Sequence, residues 1–590
     1  MMTKILSLLF VLCVVLSEVH GQQRDMNEMW DGKAENESAF GNRGRVFREG
    51  RYAMFVHWGY YSLLGNQWNG KTYYGIGEWL MNSRMADLSV EDYKSKVGLF
   101  NPVSFNADSL VALAKNAGMK YIVITSKHHD GFAMFRSKYS AFNIYDATLF
   151  KRDPMKEMAA ACKKAGLGLG FYYSQTQDWT TPGGFHGPVK DKNGKEVTFD
   201  MYFKTRCLPE VNQLTTAYGP IALVWFDTPA NISKEYAAQL VDLVHKNQPD
   251  AFVSGRVGHG LGDYSTLGDM EVPKKNIPGL WETVEVTNDS WGYAWYDQNW
   301  KTPRQVLALL LSTIARGGNF MINVGPKGDG TLPTQPAHVL RAVGDWVKRH
   351  QKIVYQGKPS PWKHALPWGD AIVGENKISL LVYDWPLSGR LFVPGLKTSV
   401  LSARLLDAGA GQPLPFALEN GWLILQIPFE RPDPMMSVIE LNTEGVIAAD
   451  EGLAIDPQIR TTLEADFALS TNCDMKSKQW MEKFGEWKHI KEVTNWQPGG
   501  TATWTIDVQV PGDYQAFVNY TGNGRLVWRI TSDEGHLVQN QQNSSSVYHD
   551  YPLGWLQFDK GGTHTITIEL LEGDRNSASL ASVGFEPVQY

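Results

Sequence analysis

Asp227 closes the run Ile221 to Asp227 (IALVWFD), six apolar or aromatic residues ending in a carboxylate and then a Thr-Pro breaker. Such a run reads as a buried parallel strand whose last residue emerges at a mouth. Side chains on a strand alternate, so Trp225 and Asp227 point the same way, an indole beside a carboxylate. Other groups of catalytic type also fall at the ends of apolar runs or just beyond them. These are His57 and Trp58, then Glu78 and Trp79, then His128, His129 and Asp130, then Tyr172 and Tyr173, then Arg256, and finally Asp269, Glu271 and Glu282. Imidazoles, carboxylates, a guanidinium and indoles at one rim, without a glycine-rich phosphate loop, suit hydrolysis of a glycoside. That reaction needs one carboxylate at the anomeric carbon and a second carboxyl to protonate the departing oxygen. Two plainer readings stand beside it: Asp227 as the cap of a helix starting near Ser233, and the His128-His129 pair as zinc ligands. Adjacent strand residues face opposite ways and no HExxH helix is present, so the sequence assigns no metal and no cofactor.

The elements that must position these groups alternate between strand and helix. Strands are expected at Arg51–His57, Tyr121–Ser126, Gly168–Ser174, Ile221–Asp227, Ala251–Arg256, Trp281–Thr287 and Asn319–Val324. Helical spacing marks Ala107–Ala117, Met155–Ala165, a stretch over about 200–218, Lys234–Lys246, Pro303–Ala315 and Pro336–Arg349. The pattern predicts an α/β fold, a (β/α)8-like barrel with one or two helices missing, followed by two all-β sandwich domains. A doubly wound open sheet is the rival, and it would want a glycine-rich loop after an early strand. The expected boundaries are a signal peptide at 1–21, a leader segment at 22–44, the barrel at 45–350, a sandwich at 351–445 and a C-terminal sandwich at 446–590.

Composition fits this plan and excludes some partners. Five hundred and ninety residues exceed one core, and 12% aromatic content suits stacking on sugars. A net charge of −6 without a basic cluster argues against nucleic acid or an anionic membrane as partner. Lys4, the short apolar run Ile5–Leu16 and a small residue at Gly21 read as a cleavable secretory signal, hence a secreted or periplasmic protein without a membrane anchor. Beyond the signal lie Cys162, Cys207 and Cys473, an odd number without metal-like spacing, read as free thiols.

The motifs FVHWGYYS, GIGEWL, KHHDGFAMF, GFYYSQTQDW, VWFDTP, SGR, WETVEVTNDSWGY and GGNFMINVGPKGDGTLP, in this order, resemble the retaining α-L-fucosidases of glycoside hydrolase family 29. The resemblance covers residues 45 to 350. It implies double-displacement hydrolysis of terminal α-L-fucose from fucosylated oligosaccharides or glycoconjugates, with Asp227 as nucleophile. It further implies that His57, Glu78, Trp79, His128, His129, Tyr173, Trp225 and Arg256 hold the sugar and that Trp291 lies beside its methyl group. The last domain resembles a carbohydrate-binding module of the jelly-roll type.

The acid/base falls on a loop where the motifs do not align. Glu271 in GDMEVP is the first choice, Glu282 the reserve and Asp269 the third. Glu78 is read as a helper whose charge keeps the acid protonated. Two other functions fit the same residues: a fucose-binding protein that has lost its acid, and an exo-glycosidase for a fucose-like sugar such as L-galactose.

Overall fold

The computed structural model describes residues 40–185, 189–191, 193–230, 232–406, 411–483 and 486–588. The expected signal peptide and most of the leader lie outside the described residues.

Eight parallel strands form the first sheet: β1 (Tyr52–Val56), β2 (Tyr121–Lys127), β3 (Gly168–Ser174), β4 (Leu223–Asp227), β5 (Phe252–Val253), β6 (Ser265–Thr266), β7 (Trp281–Val286) and β8 (Asn319–Val324). Their order is β6-β7-β8-β1-β2-β3-β4-β5, and a single parallel bridge from Ser254 to Tyr264 joins the two end strands. The sheet therefore curls into a (β/α)8-like barrel. The pleat decides what fills it. Ala53, Phe55, Val123, Tyr172, Leu223, Trp225, Val284 and Met321 pack together inside, while the alternate residues Met54, Ile122, Phe171, Val224 and Ile322 pack outward against helices.

Those helices start where local chemistry tells them to. They are α1 (Ala107–Asn116), α2 (Pro154–Ala165), α3 (Leu208–Ala217), α4 (Lys234–Asn247), α5 (Pro303–Ala315) and α6 (Thr334–Arg349). Asn106, Asp153, Ser233 and Thr302 each accept a backbone N–H from the first turn of α1, α2, α4 and α5, and Thr302 with Gln305 closes a reciprocal capping box. Ser233 thus caps α4, which frees Asp227 of that duty. No α-helix follows β5 or β6 among the described residues, so two of the eight helices of a full barrel are missing. The 3-10 turn Gly255–Val257 and irregular chain take their place.

After α6 the chain becomes β-rich, as the alternation predicts. A five-stranded antiparallel sheet faces a three-stranded one between Gly369 and Glu444, and two six-stranded sheets follow between Leu453 and Pro587. Each sandwich has its own apolar centre, around Trp362, Trp368 and Leu425 in the first and around Trp496, Trp504 and Trp528 in the second. Cys162, Cys207 and Cys473 are free thiols. No helix among the described residues is long and apolar enough to cross a membrane.

The first sandwich is locked to the barrel by a buried ion pair. Arg316, just past α5, donates to Asp370 at 2.6 Å, with side chains 3% and 1% exposed, and Ser312 donates to the other carboxylate oxygen at 2.7 Å. Breaking one half of such a pair strands the other charge in the interior. Asp370→Ala is expected to destabilise the protein by ~3–5 kcal/mol, whereas the double change Arg316→Met with Asp370→Leu stays near the wild type. Thermal and denaturant unfolding of the three proteins, followed by intrinsic tryptophan fluorescence, checks this.

Candidate active site

The carboxyl ends of the barrel strands converge on Asp227, and the register explains how. Tyr172 pairs with Trp225 and Ser174 with Asp227 across β3 and β4, so all four face inward. Tyr172 donates its hydroxyl to Asp227 Oδ2 at 2.8 Å, and the Arg256 guanidinium donates to Oδ1 at 3.1 Å. The His129 imidazole Nε2 stands 3.5 Å from Oδ2. Behind Asp227 the chain turns through Thr228 at φ 46°, a left-handed conformation that costs a β-branched residue roughly 1–3 kcal/mol. Thr176 Oγ1 donates to the Thr228 carbonyl at 2.5 Å, and the Gln175 amide oxygen accepts the Asp227 N–H at 2.9 Å. These bonds fix the direction of the carboxylate.

Arg256 grips a second acid. Its other terminal nitrogen donates to Asp269 Oδ1 at 2.5 Å and to the Leu267 carbonyl at 3.1 Å, while its charge lies 4.8 Å from the centre of the Trp225 ring. Burial works against the Arg256 charge, but Asp269 and Asp227 outweigh it and raise its pKa. The guanidinium is therefore a fixed cation between two carboxylates.

Three imidazoles line the opposite wall. His57 Nδ1 pairs with Asn323 Oδ1 at 2.8 Å, and Asn323 Nδ2 donates to the Trp291 carbonyl at 2.7 Å. His129 Nδ1 pairs with Ser174 Oγ at 2.7 Å, and His128 stacks on Tyr172 with ring centres 5.0 Å apart. Burial lowers all three histidine pKa values, to about 4 for His57 and about 3 for His129. They are neutral hydrogen-bonding groups at neutral pH. Both His128 and His129 approach Asp227, contrary to strict alternation, because the β2–β3 register shifts between Thr125 and Lys127 and β2 ends there. Their nitrogens and the Asp227 carboxylate come within 4.8 Å of one another, a metal-like spacing. The Arg256 cation on the same carboxylate opposes a second cation at that point.

Aromatic faces and a buried acid complete the wall. Trp225 stacks on Tyr172, Trp291 lies 5.2 Å from His57, and Trp79 meets His129 edge-on at 5.7 Å. Glu78 accepts the Gly292 N–H at 2.7 Å, and burial, with the Asp269 and Asp227 charges adding to it, raises its pKa to about 8. Glu78 is thus a neutral hydrogen-bond donor near pH 7. The helper role read from the sequence required its negative charge and has to be revised.

Three further sequence expectations are corrected by geometry. Tyr173 points outward, as the residue after an inward-facing Tyr172 must, and donates to Glu210 at 2.7 Å, beside Lys127. Glu282 lies on the inward face of β7 beneath the Trp225 indole, which donates to it at 2.5 Å, with no exposed surface. Glu271 turns away from Asp227, because Met270 at φ 60° reverses the chain: its carboxylate accepts the Gly268 N–H at 3.0 Å and lies 3.5 Å from His489 of the C-terminal sandwich. The structure instead brings Asp269 to the group. Sequence reasoning placed Tyr172 at a strand end but gave the binding role to its neighbour Tyr173, and it missed Asn323 and Gln175. Parity along β3 and β8 is the signal that could have chosen Tyr172 and found Asn323. A cavity of about 800 Å³ between Arg45, Lys163, Tyr218 and Asp250 lies at the other end of the barrel, by the strand starts, and shares none of these residues.

A barrel whose strand ends carry two arginine-linked carboxylates, neutral imidazoles and stacking indoles belongs to the sugar-hydrolysing class. Comparison with known proteins places it within that class. The alpha-L-fucosidase family model matches residues 14–352, and the chain belongs to this family, glycoside hydrolase family 29. It is 26% identical to human plasma alpha-L-fucosidase over 414 residues, 65% of this chain and 85% of the relative. Among solved structures it resembles the alpha-L-fucosidase of Vibrio sp. strain EJY3, with a TM-score of 0.76 and 28% identity over 94% of this chain and all of that one. A family 29 alpha-L-fucosidase from Bacteroides thetaiotaomicron aligns with a TM-score of 0.61 and 26% identity over 70% of this chain and 96% of that one. The protein is a glycoside hydrolase with alpha-L-fucosidase activity, and its family implies fucosylated glycans as the substrate class.

The raised pKa of Glu78 has a consequence for stability. Glu78 is protonated in the folded chain and ionised in the unfolded one between its ordinary value of 4.5 and about 8. The folded state then binds more protons, so this residue's contribution to stability falls as pH rises through that window. Glu78→Gln is expected to become progressively more stable than the wild type from pH 5 to pH 8, by at most ~1.4 kcal/mol per pH unit. Melting temperatures of the two proteins across that range check it.

Proposed function

We propose that the chain hydrolyses terminal α-L-fucosides with retention, by double displacement, using Asp227 as nucleophile and Asp269 as acid/base. The observation that carries the reading is the shared guanidinium: Arg256 bonds Asp227 and Asp269 at the same time. Retention needs the two carboxyls about 5–5.5 Å apart, against about 6.5–9.5 Å for inversion, and two acids on one guanidinium are within reach of the shorter spacing. A covalent intermediate trapped in the Bacteroides thetaiotaomicron relative, at a TM-score of 0.62 and 26% identity, supports the same course.

In this mechanism the hydrogen bonds from Tyr172 and Arg256 hold the Asp227 carboxylate aimed at the anomeric carbon. Asp227 attacks from one face while Asp269 gives its proton to the glycosidic oxygen on the other. The C–O bond to the aglycone breaks, and a fucosyl ester forms on Asp227. Asp269, now a carboxylate, takes a proton from water, which attacks the same carbon and releases fucose with Asp227 restored. Asp269 side-chain atoms are 22% exposed and sit on a loop, so substrate entry can part them from Arg256, as a carboxyl that must carry a proton requires.

His57, His128, His129, Glu78, Trp79 and Trp225 bind the sugar in this reading. Neutral imidazoles and a protonated Glu78 offer donors and acceptors to hydroxyls, and the indoles offer flat faces. Trp291 takes the sugar's methyl side. A binding-only role is not favoured, since both carboxylates are present. The leading residues 1–21 direct export in this reading.

Asp227→Asn is expected to lower kcat/KM on para-nitrophenyl α-L-fucoside by ~10³-fold or more with the fold intact. Azide added to Asp227→Gly restores release of nitrophenol and yields fucosyl azide of inverted configuration, because azide fills the space left by the carboxylate. Turnover near the wild-type rate in either variant without azide would rule Asp227 out as nucleophile.

A further inference from the structure

The loop that carries Asp269 is held from outside the barrel. Its turn, 268–271, joins Gly268, Asp269, left-handed Met270 and Glu271, and no helix backs it among the described residues. A left-handed methionine persists only where the surroundings over-determine the backbone. Part of that constraint is internal: the Met270 N–H reaches the Val284 carbonyl at 3.0 Å, and Thr283 Oγ1 donates to the Glu271 carbonyl at 2.7 Å. The rest comes from the C-terminal sandwich.

His489 lies on the strand Glu486–Thr494, paired with Asp474–Lys483 in one hairpin. Its Nε2 meets the backbone carbonyl of Asp269 at 3.1 Å, and its Nδ1 lies 3.5 Å from Glu271 Oε2. One imidazole thus touches the carbonyl of the proposed acid and the side chain two residues on. Gly268 makes room for it, since a Cβ there would collide with the imidazole Cε1 and stand 2.6 Å from Glu271 Oε2. The loop is tied to the same domain at its far end, where Lys274 donates to Glu464 at 2.6 Å and Lys275 to the Asp466 carbonyl at 2.7 Å.

We infer that His489 is a positioning residue for the acid/base, and that the C-terminal sandwich is thereby part of the catalytic unit. The inference rests on Asp269 being the acid. The family model ends at residue 352, well short of this strand, and assigns it nothing. The physical argument concerns which part of the loop moves. The Asp269 side chain has to leave Arg256 to carry a proton, so the backbone beneath it must stay in place while the carboxyl swings. His489 holds that backbone through a bond to its carbonyl, without touching the carboxyl, and Glu271 orients the imidazole.

A residue that positions a general acid matters most when the leaving group needs the proton. The test compares kcat/KM on para-nitrophenyl α-L-fucoside, whose phenolate leaves with little help, and on para-methoxyphenyl α-L-fucoside, whose phenolate does not. Full-length wild type, His489→Ala, His489→Gln, Gly268→Ala and Asp269→Ala are measured, each shown folded by its melting curve. His489→Ala and Gly268→Ala are expected to lose ~10-fold or more on the methoxyphenyl substrate and less than ~3-fold on the nitrophenyl one. His489→Gln recovers most of the loss, because its amide N–H donates to the same carbonyl. Equal losses on both substrates in His489→Ala, or no loss, while Asp269→Ala shows the split, would overturn the role of His489 and leave the acid assignment standing. No split in Asp269→Ala would overturn the acid assignment and this inference together.

Discussion

Everything at the mouth of this barrel depends on one guanidinium. Two carboxylates and three imidazoles within a few ångströms would be untenable in a buried site if the acids faced each other unpaired. Arg256 sets one terminal nitrogen on Asp227 and another on Asp269, with its face over Trp225. The pairing compensates charge that burial would otherwise oppose. It also divides labour among the acids. Glu78, near the same carboxylates but without a cation of its own, is pushed toward the neutral form, and the histidines stay uncharged. One charged triad and a ring of neutral donors is the electrostatic arrangement that a polyhydroxylated, uncharged sugar requires.

Arg256 can make both contacts only because the barrel is incomplete on its side. β5 is two residues long and is followed by a 3-10 turn instead of an α-helix, and β6 is equally short. The chain between them and β7 therefore runs across the strand ends, where Leu267 and Asp269 meet the guanidinium. The omitted helices leave that chain unsupported from the barrel. The later domains supply the support: Asn276 bonds the Ser360 carbonyl and the Lys363 backbone, while Lys274, Lys275 and the 268–271 turn meet the C-terminal sandwich. The β domains are in this sense part of the site's architecture, although they carry none of the groups around Asp227.

What the sequence revealed and what it hid follow from how far each feature depends on local pattern. Seven of the eight strands, the main helices and the loss of one or two helices were readable, because periodicity is local; the two-residue strand Ser265–Thr266 is too short to show a period. Asp227, His57 and Arg256 were readable as polar ends of apolar runs. Tyr172 and Tyr173 were not separable until register with Trp225 settled which faces inward. The histidine pair defeated the alternation rule through a register shift that leaves no mark in the sequence. The 269–282 region offered three acids and no period, and only the left-handed turn at Met270 decides that Asp269 faces Arg256 while Glu271 faces His489. That last contact joins residues 220 positions apart and has no local signal at all.

Asp227 and Asp269, bridged by Arg256, are proposed to act together as nucleophile and acid/base in a double displacement. Proton NMR during the first minutes of hydrolysis of para-nitrophenyl α-L-fucoside in deuterium oxide tests it most directly. Double displacement requires that α-L-fucose forms first and that the β anomer grows in only by mutarotation. β-L-fucose as the first product would mean a single displacement by water, and would contradict it.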